Sequence, residues 1–227
     1  ETEKNNIKIY KGYTVIDTFG YRKINKISIM QLSKDGQKVV GPKISIDCDC
    51  LGMSGGWTPA VHLFTQSGGK LKFRDDDQVF IPDTYPSDQI SIGSCNGEFT
   101  LDEILSGISK KLKDFLNIKK TEYENLEIQS HFNKTKRNIW LLPSDKIIGK
   151  TKPFVDYQND ATAKDIKLAL REGFRSIEHV KRYTTTGMGT DQGKLGNMHA
   201  LGIIAETAGS KMGELGTTTF RPPYTPL

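Results

Sequence analysis

Residues 179–194, HVKRYTTTGMGTDQGK, concentrate the side chains of this chain that could do chemistry. Lys181, Arg182 and Lys194 are cations, and His179 is a potential one. Thr184, Thr185 and Thr186 stand in a row, followed by Gly187, Gly189 and Gly193 with Gln192 among them. Glycine permits tight turns and a close approach of backbone to a ligand. Threonine hydroxyls, exposed backbone N–H groups and Lys or Arg together suit a phosphate or another anion. A competing reading stands beside this one: the threonines form a buried turn and the neighbouring cations pair with acids.

Such a loop needs elements to hold it. Thr162 followed by Asp165 reads as a helix start with a capping box. Ile166, Leu168, Ala169 and Leu170 supply its apolar side, and Gly173 ends it in left-handed conformation. Ser176 is expected to cap a shorter helix from Ile177 to about Arg182. Gly193 or Lys194 then opens a third helix through Met198, Leu201, Ile204 and Ala205, stopped at Gly209. The turn at residues 187–193 would aim helix N-terminal N–H groups outward, worth roughly 0.5–2 kcal/mol to a nearby anion.

The first half reads differently. Residues 13–16, 24–32 and 39–46 carry strand signals separated by turns at Gly20 and at Ser33-Lys34-Asp35-Gly36, so an antiparallel meander is expected. Residues 7–9 and 47–53 read as further strand. Cys48 and Cys50 fall in the latter, on one face, either as small buried hydrophobes or as half of a metal pair. Phe73 and residues 79–81 predict a hairpin over Asp75-Asp76-Asp77, whose acids read as a solvated tip. Residues 89–93 read as a short buried strand. Residues 101–116 have helical spacing, with Thr100 and Glu103 as capping box. Residues 117–153 are polar and Lys-rich around Trp140-Leu141-Leu142-Pro143 and read as a docking linker.

Composition narrows the class. The chain has 227 residues, 36% hydrophobic and 26% charged, with a net charge of +5. Its basic residues are scattered without an aromatic-basic motif, which argues against nucleic acid. No apolar run approaches the roughly 20 residues of a bilayer span, so no membrane partner is expected. Three cysteines, Cys48, Cys50 and Cys95, fit a reducing cytoplasm rather than a disulfide framework. His62, His131 and His199 are too dispersed to propose as a metal site, and no catalytic residue is assigned. The lead-in at Glu1 and the extended RPPYTPL end read as cuts, as in an internal piece of a longer polypeptide.

Two resemblances follow. Residues 155–196 resemble the bacterioferritin-associated-ferredoxin-like domain, a helical module that holds a two-iron, two-sulfur cluster. Its four cysteine positions fall here on Asp156, Gln158, Asp191 and Gly196. Such clusters need four thiolates, or two with two imidazoles, so no iron–sulfur cluster is expected. The second resemblance covers nearly the whole chain. The stretches MSGGWTPAVHL (53–63), FVDYQND (154–160), REGFRSIEHVKRYTTTGM (171–188) and GTTTFRPPY (216–224) are similar to alpha subunits of heterotetrameric sarcosine oxidases.

That resemblance implies an α/β plus α fold. Residues 1–116 would be the C-terminal part of a pyridine nucleotide-disulfide-oxidoreductase-like, Rossmann-type dinucleotide-binding domain carrying the meander. Residues 117–153 would be the linker and 154–210 the cluster-less ferredoxin-like domain. Residues 211–227 would lead to a folate-binding aminomethyltransferase domain. It further implies oxidative demethylation of sarcosine to glycine, with hydrogen peroxide and 5,10-methylenetetrahydrofolate formed. The partners would be a beta subunit with smaller gamma and delta subunits. NAD would sit in the alpha subunit, FMN at the alpha/beta interface, and FAD and tetrahydrofolate elsewhere in the complex. The segment alone is expected to be inactive. For NAD, the implied contacts are Gly93, Ser94, Cys95, Phe99 and Leu101, unless these merely pack the join before the helix. For FMN, they are Lys181, Arg182, Thr184, Thr185 and Thr186 at the phosphate, and Gly187, Gln192 and Lys194 at the ring or interface. Two alternatives remain: the alpha subunit of a related amine, opine or proline dehydrogenase complex, and a non-catalytic interaction module.

Overall fold

A computed structural model describes residues 3–5, 7–86, 88–117, 138–144 and 151–218. His131, most of the docking linker and the RPPYTPL end lie outside the described residues. The chain divides into two compact units, residues 1–55 with 141–153, and residues 56–140 with 154–227.

The first unit is built on an antiparallel three-stranded sheet in the order β1 (Tyr13–Phe19), β2 (Lys26–Leu32), β3 (Val39–Asp47). Register follows the apolar alternation. Val15 lies opposite Ile29 in β1–β2, and Ile27 opposite Ile46 and Ile29 opposite Ile44 in β2–β3. Each such pair contributes roughly 0.2–1 kcal/mol. The β2–β3 turn closes as its sequence predicts: the Ser33 hydroxyl donates to Asp35 Oδ1 at 2.5 Å, and Gly36 takes φ +67°.

Two expectations in this unit are corrected. Residues 7–9 are not strand, and β3 ends at Asp47, so Cys48 and Cys50 lie beyond the sheet. Cys48 N–H still donates to Asn25 O at 3.2 Å. One anchored amide does not continue a ladder, and Cys50 is exposed while Cys48 is half-buried.

The second unit opens with a short helix, α1 (His62–Gln66), and the expected hairpin, β4 (Lys70–Arg74) with β5 (Val79–Thr84). The hairpin tip is held by Arg74, whose guanidinium forks onto the Asp77 carboxylate and donates to Gly97 O at 2.8 Å. Residues 89–93 are not a strand. Ile92 is extended, but Gly93 turns to φ +74° and starts a 3-10 turn, Gly93–Asn96. An extended run without a partner strand has no ladder to join.

Helix α2 (Leu101–Leu116) follows, with the Thr100–Glu103 capping box formed in both directions. Its stripe is incompletely covered: Leu101, Leu112, Phe115 and Leu116 are exposed. Next comes a small ladder that the sequence did not announce, β6 (Phe154–Asp156) against β7 (Ala161–Thr162). Helices α3 (Ala163–Arg171), α4 (Ile177–Thr184), α5 (Asn197–Ala208) and α6 (Met212–Leu215) complete the unit.

Helix α3 starts as predicted. Thr162 accepts from Asp165 N–H, and the Asp165 carboxylate accepts from Thr162 N–H at 2.8 Å. Ser176 stands at the α4 N-cap without a side-chain cap bond. Helix α5 begins at Asn197, later than Gly193 or Lys194, because residues 189–195 make tight turns of their own. The core joins α3, α4 and α5: Ile166, Val180, Leu201, Ile203 and Ile204 are each no more than 2% exposed. Each such side chain contributes roughly 1.5–3 kcal/mol by burial. No helix among the described residues is long and apolar enough to cross a membrane.

Candidate functional site

The glycine–threonine loop runs from the end of α4 to the start of α5. Helix α4 stops because Thr185 takes a left-handed φ of +60°. Thr184 and Thr186 turn inward: both are buried, and their hydroxyls lie 2.7 Å apart. Thr184 Oγ1 also donates to Val180 O at 2.8 Å. The exposed Thr185 donates its hydroxyl to Thr184 O at 2.6 Å. So the buried-turn reading holds for Thr184 and Thr186, and Thr185 alone of the three faces solvent.

Three of the loop's backbone donors are met by carboxylates of the same chain. Gly187 N–H donates to Asp156 Oδ2 at 2.7 Å. Gly193 N–H donates to Asp191 Oδ1 at 3.0 Å, and Leu195 N–H to Asp191 Oδ2 at 3.2 Å. The N–H groups expected to point outward from a helix N-terminus at residues 187–193 belong instead to turns before α5, and those of Gly187 and Gly193 are turned onto carboxylates of the same chain. Burial pushes the Asp156 carboxyl up, but the N–H groups of Gly187, Asn159 and Gln158 outweigh it and hold the group below its ordinary range.

Three further residues shape the loop, and the sequence reading did not single them out for this. Asn159 Nδ2 donates to Thr185 O at 3.2 Å. Gln158 Oε1 accepts from Thr190 Oγ1 at 3.1 Å. The buried Asn197 packs against both Gly187 and Gly193, so that a Cβ on either glycine would overlap its amide. Its Nδ2 donates to Thr218 Oγ1 at 2.7 Å. An Asx-turn pattern, Asp-Tyr-Gln-Asn at 156–159, is the local signal that could have drawn attention to Asp156.

A cavity of about 410 Å³ opens beside the loop, lined by Asp156, Tyr157, Gln158, Asp191, Lys194 and Gly196 among others. The four positions aligned with cluster ligands thus converge on one space. Their side chains are two carboxylates, an amide and a hydrogen, with neither thiolate nor imidazole. That set does not suit an iron–sulfur cluster. At Gly196 a side chain would also press on Val155 O. Among the described residues no group of three or more His, Cys, Asp or Glu is placed to hold a metal.

The cations spread out. Lys194 reaches the cavity; burial lowers its pKa and Asp191 partly restores it. His62, on α1, is also lowered, first by burial and then by the charge of Lys194. Arg182 is exposed and pairs with Glu178 at 3.3 Å, and Lys181 is half-buried on α4. Gln192 donates its side-chain amide back to Gly189 O at 3.1 Å. Of the eight residues expected at FMN, the loop gathers Thr185, Gly187, Gln192 and Lys194 around its turns, while Lys181 and Arg182 stay on the α4 surface.

The five residues expected at NAD do cluster, at the join of the 3-10 turn and α2. Gly93 is buried, Ser94 exposed, and Cys95 and Phe99 half-buried. Cys95 Sγ donates to Ile92 O at 3.0 Å, and Leu101 is exposed at the first turn of α2. The organiser here is Glu98. Its carboxylate accepts from Gly93 N–H at 3.0 Å, Asn96 Nδ2 at 3.0 Å and Lys111 Nζ at 2.5 Å. Burial pushes its pKa up, and these three donors bring it below the ordinary range. None of the five lines the cavity beside the loop.

Known proteins resemble this chain along its length. The family model of the sarcosine oxidase A3 domain matches residues 150–227. The sarcosine oxidase alpha subunit from Corynebacterium sp. (strain P-1) is 31% identical, over 97% of this chain and 24% of its own length. Its counterpart from Rhizobium meliloti (strain 1021) is 36% identical, over 81% of this chain and 18% of its own length. This chain thus spans about a quarter or less of these curated relatives. Among solved structures, L-proline dehydrogenase from P. horikoshii has a similar fold, with TM-score 0.56 and 18% identity over 94% of this chain and 43% of that one. Loop, flanking helices and the strand stretch of residues 13–46 all fall inside the matched region, and the chain belongs to the sarcosine oxidase alpha-subunit family over the part of those subunits that it spans.

Proposed function

We propose that this chain is the middle of an alpha subunit that supports oxidative demethylation of sarcosine to glycine, with hydrogen peroxide and 5,10-methylenetetrahydrofolate as the other products. The observation that carries this reading is identity of about a third to three sarcosine oxidase alpha subunits, over most of the chain. On this reading the complex is a cytoplasmic heterotetramer. The beta subunit docks on the glycine–threonine loop, gamma and delta subunits complete the assembly, and FAD and tetrahydrofolate lie in other parts. The first half is the C-terminal part of a Rossmann-type domain, and residues 154–210 are a ferredoxin-like module without its cluster.

FMN is assigned to the loop interface, where bound flavin would relay electrons from the oxidised amine to oxygen. Lys194, Gln192 and Thr185 would meet it from this chain, with Lys181 and Arg182 as outer phosphate contacts. Thr184 and Thr186 would support the turn rather than touch the ligand. NAD is assigned to the join before α2, where Ser94, Cys95, Phe99 and Leu101 would line its side. Gly93 contributes there through its left-handed turn.

Co-expression of the intact alpha subunit with a beta subunit tests the reading. Purified complex is expected to oxidise sarcosine and to carry FMN and NAD. Lys181→Ala with Lys194→Ala is expected to lower FMN retention about tenfold or more, as for loss of charge-assisted contacts. Unchanged retention overturns the assignment of FMN phosphate to these lysines. A second reading rests on a shorter match: an opine oxidase subunit from Rhizobium meliloti (strain 1021) is 35% identical over 30% of this chain. Turnover of an opine with none of sarcosine would favour it.

A further inference from the structure

We infer that Asp156 is the positioning residue of the glycine–threonine loop, its ionised carboxylate drawing the N–H donors of two separate turns onto one buried point. Residue 156 is 7% exposed. Its Oδ1 accepts from Gln158 N–H at 2.8 Å and Asn159 N–H at 3.0 Å. Its Oδ2 accepts from Gly187 N–H at 2.7 Å and Asn159 Nδ2 at 3.4 Å. The same Asn159 amide reaches Thr185 O. One carboxylate and one amide therefore tie the turn after β6 to both flanks of Thr186.

Chemistry at this point is selective. All four partners are donors, and an ionised carboxylate is an acceptor on both oxygens. An asparagine of the same size has one acceptor oxygen. Whichever way it is turned, its NH₂ faces at least one N–H, and a buried donor is left unmet. Asp191 does for Gly193 and Leu195 what Asp156 does for Gly187.

The consequence concerns ligand recognition. The loop N–H groups of Gly187, Gly193 and Leu195 are occupied by the chain's own carboxylates. An anion arriving at the loop is then held by side chains, with Lys194 foremost, and not by a backbone cradle. This consequence rests on the flavin reading above; the role of Asp156 in shaping the loop does not.

The test is amide hydrogen exchange on the intact subunit, followed by mass spectrometry, for wild type, Asp156→Asn and Asn159→Ala. Asp156→Asn is expected to speed exchange at residues 157–160 and 185–195 by about tenfold or more, with α3 and α5 unchanged, as for a local opening. Asn159→Ala, which leaves the Gly187 bond in place, is expected to give a smaller rise confined to the turn after β6 and the neighbourhood of Thr185. Exchange unchanged in Asp156→Asn overturns the inference, and so does an equal rise throughout α3 and α5, because the residue would then serve the whole fold. FMN retention by the Asp156→Asn complex separates the two claims. Faster loop exchange with flavin fully retained upholds the loop inference and removes the flavin reading.

Discussion

Glu98, Asp156 and Asp191 share one arrangement: a carboxylate placed where several donors converge, backbone N–H groups at Asp156 and Asp191, and the Gly93 N–H with the Asn96 and Lys111 side chains at Glu98. Two of the three, Glu98 and Asp156, are held below the ordinary carboxylate range by those donors. Glycine makes the arrangement possible at the loop. Gly193 sits at φ +75°, and a Cβ there would run into the Asn197 amide. The left-handed conformation alone costs a non-glycine residue about 1–2 kcal/mol, and the overlap adds to it. Gly193→Ala is therefore expected to destabilise the second unit by more than about 2 kcal/mol, read by urea unfolding. A loss of only about 1–2 kcal/mol, the conformational term alone, would mean that Asn197 simply moves aside. The residue types of this loop were legible in the sequence, whereas the destination of its N–H groups was not. Asp156 and Gly187 are 31 residues apart.

At the scale of elements, local rules were good guides where they act over one turn. Both capping boxes, Thr100–Glu103 and Thr162–Asp165, form as their spacing predicts. The meander and the β4–β5 hairpin follow their alternation and turn residues. Residues 89–93 and 47–53 misled because a strand needs a neighbour as well as apolar residues. Helix α5 shows how tertiary contact overrides propensity. Gly202, in its middle, lies under the Trp140 indole, and a Cβ there would overlap the ring. His199, one turn earlier, meets the same indole edge-on with ring centroids 6.0 Å apart. Gly202→Ala should gain about 1 kcal/mol of helix propensity and lose about 1–3 kcal/mol to overpacking. Net destabilisation is expected, with a red shift in tryptophan emission. Trp57 is 77% exposed, so the shift reports Trp140. Unshifted emission with raised stability would mean that Trp140 does not pack on Gly202.

Across the whole molecule the charge balance is mild, +5, and its distribution matters more than its sum. Glu98, Asp156 and Asp165 are all depressed; for Asp165 the Thr162 hydroxyl is the main cause. In the unfolded chain these groups take up protons first as pH falls, so acid favours unfolding. Their contribution is complete above about pH 5 and is lost progressively below about pH 4, toward their lower native values. The melting temperature is expected to fall between pH 5 and 3, and less steeply in Asp165→Asn. A flat profile over that window would contradict the hydrogen bonds assigned to these carboxylates.

By itself the sequence determined the sheet order of the first unit, the starts of α2, α3 and α4, the loop composition and, through motifs in order along the chain, the family. These are properties of neighbours in sequence, set by side-chain period, caps and turn residues. Tertiary structure alone decided that Thr184 and Thr186 face inward, that four aligned ligand positions surround one cavity, and that Asp156 and Asp191 accept the N–H groups of Gly187, Gly193 and Leu195. A hydrogen-bond acceptor carries no mark of the donor it will meet. That pairing is chosen only when β6 and the loop before α5 are brought together, because the buried N–H groups must find acceptors there.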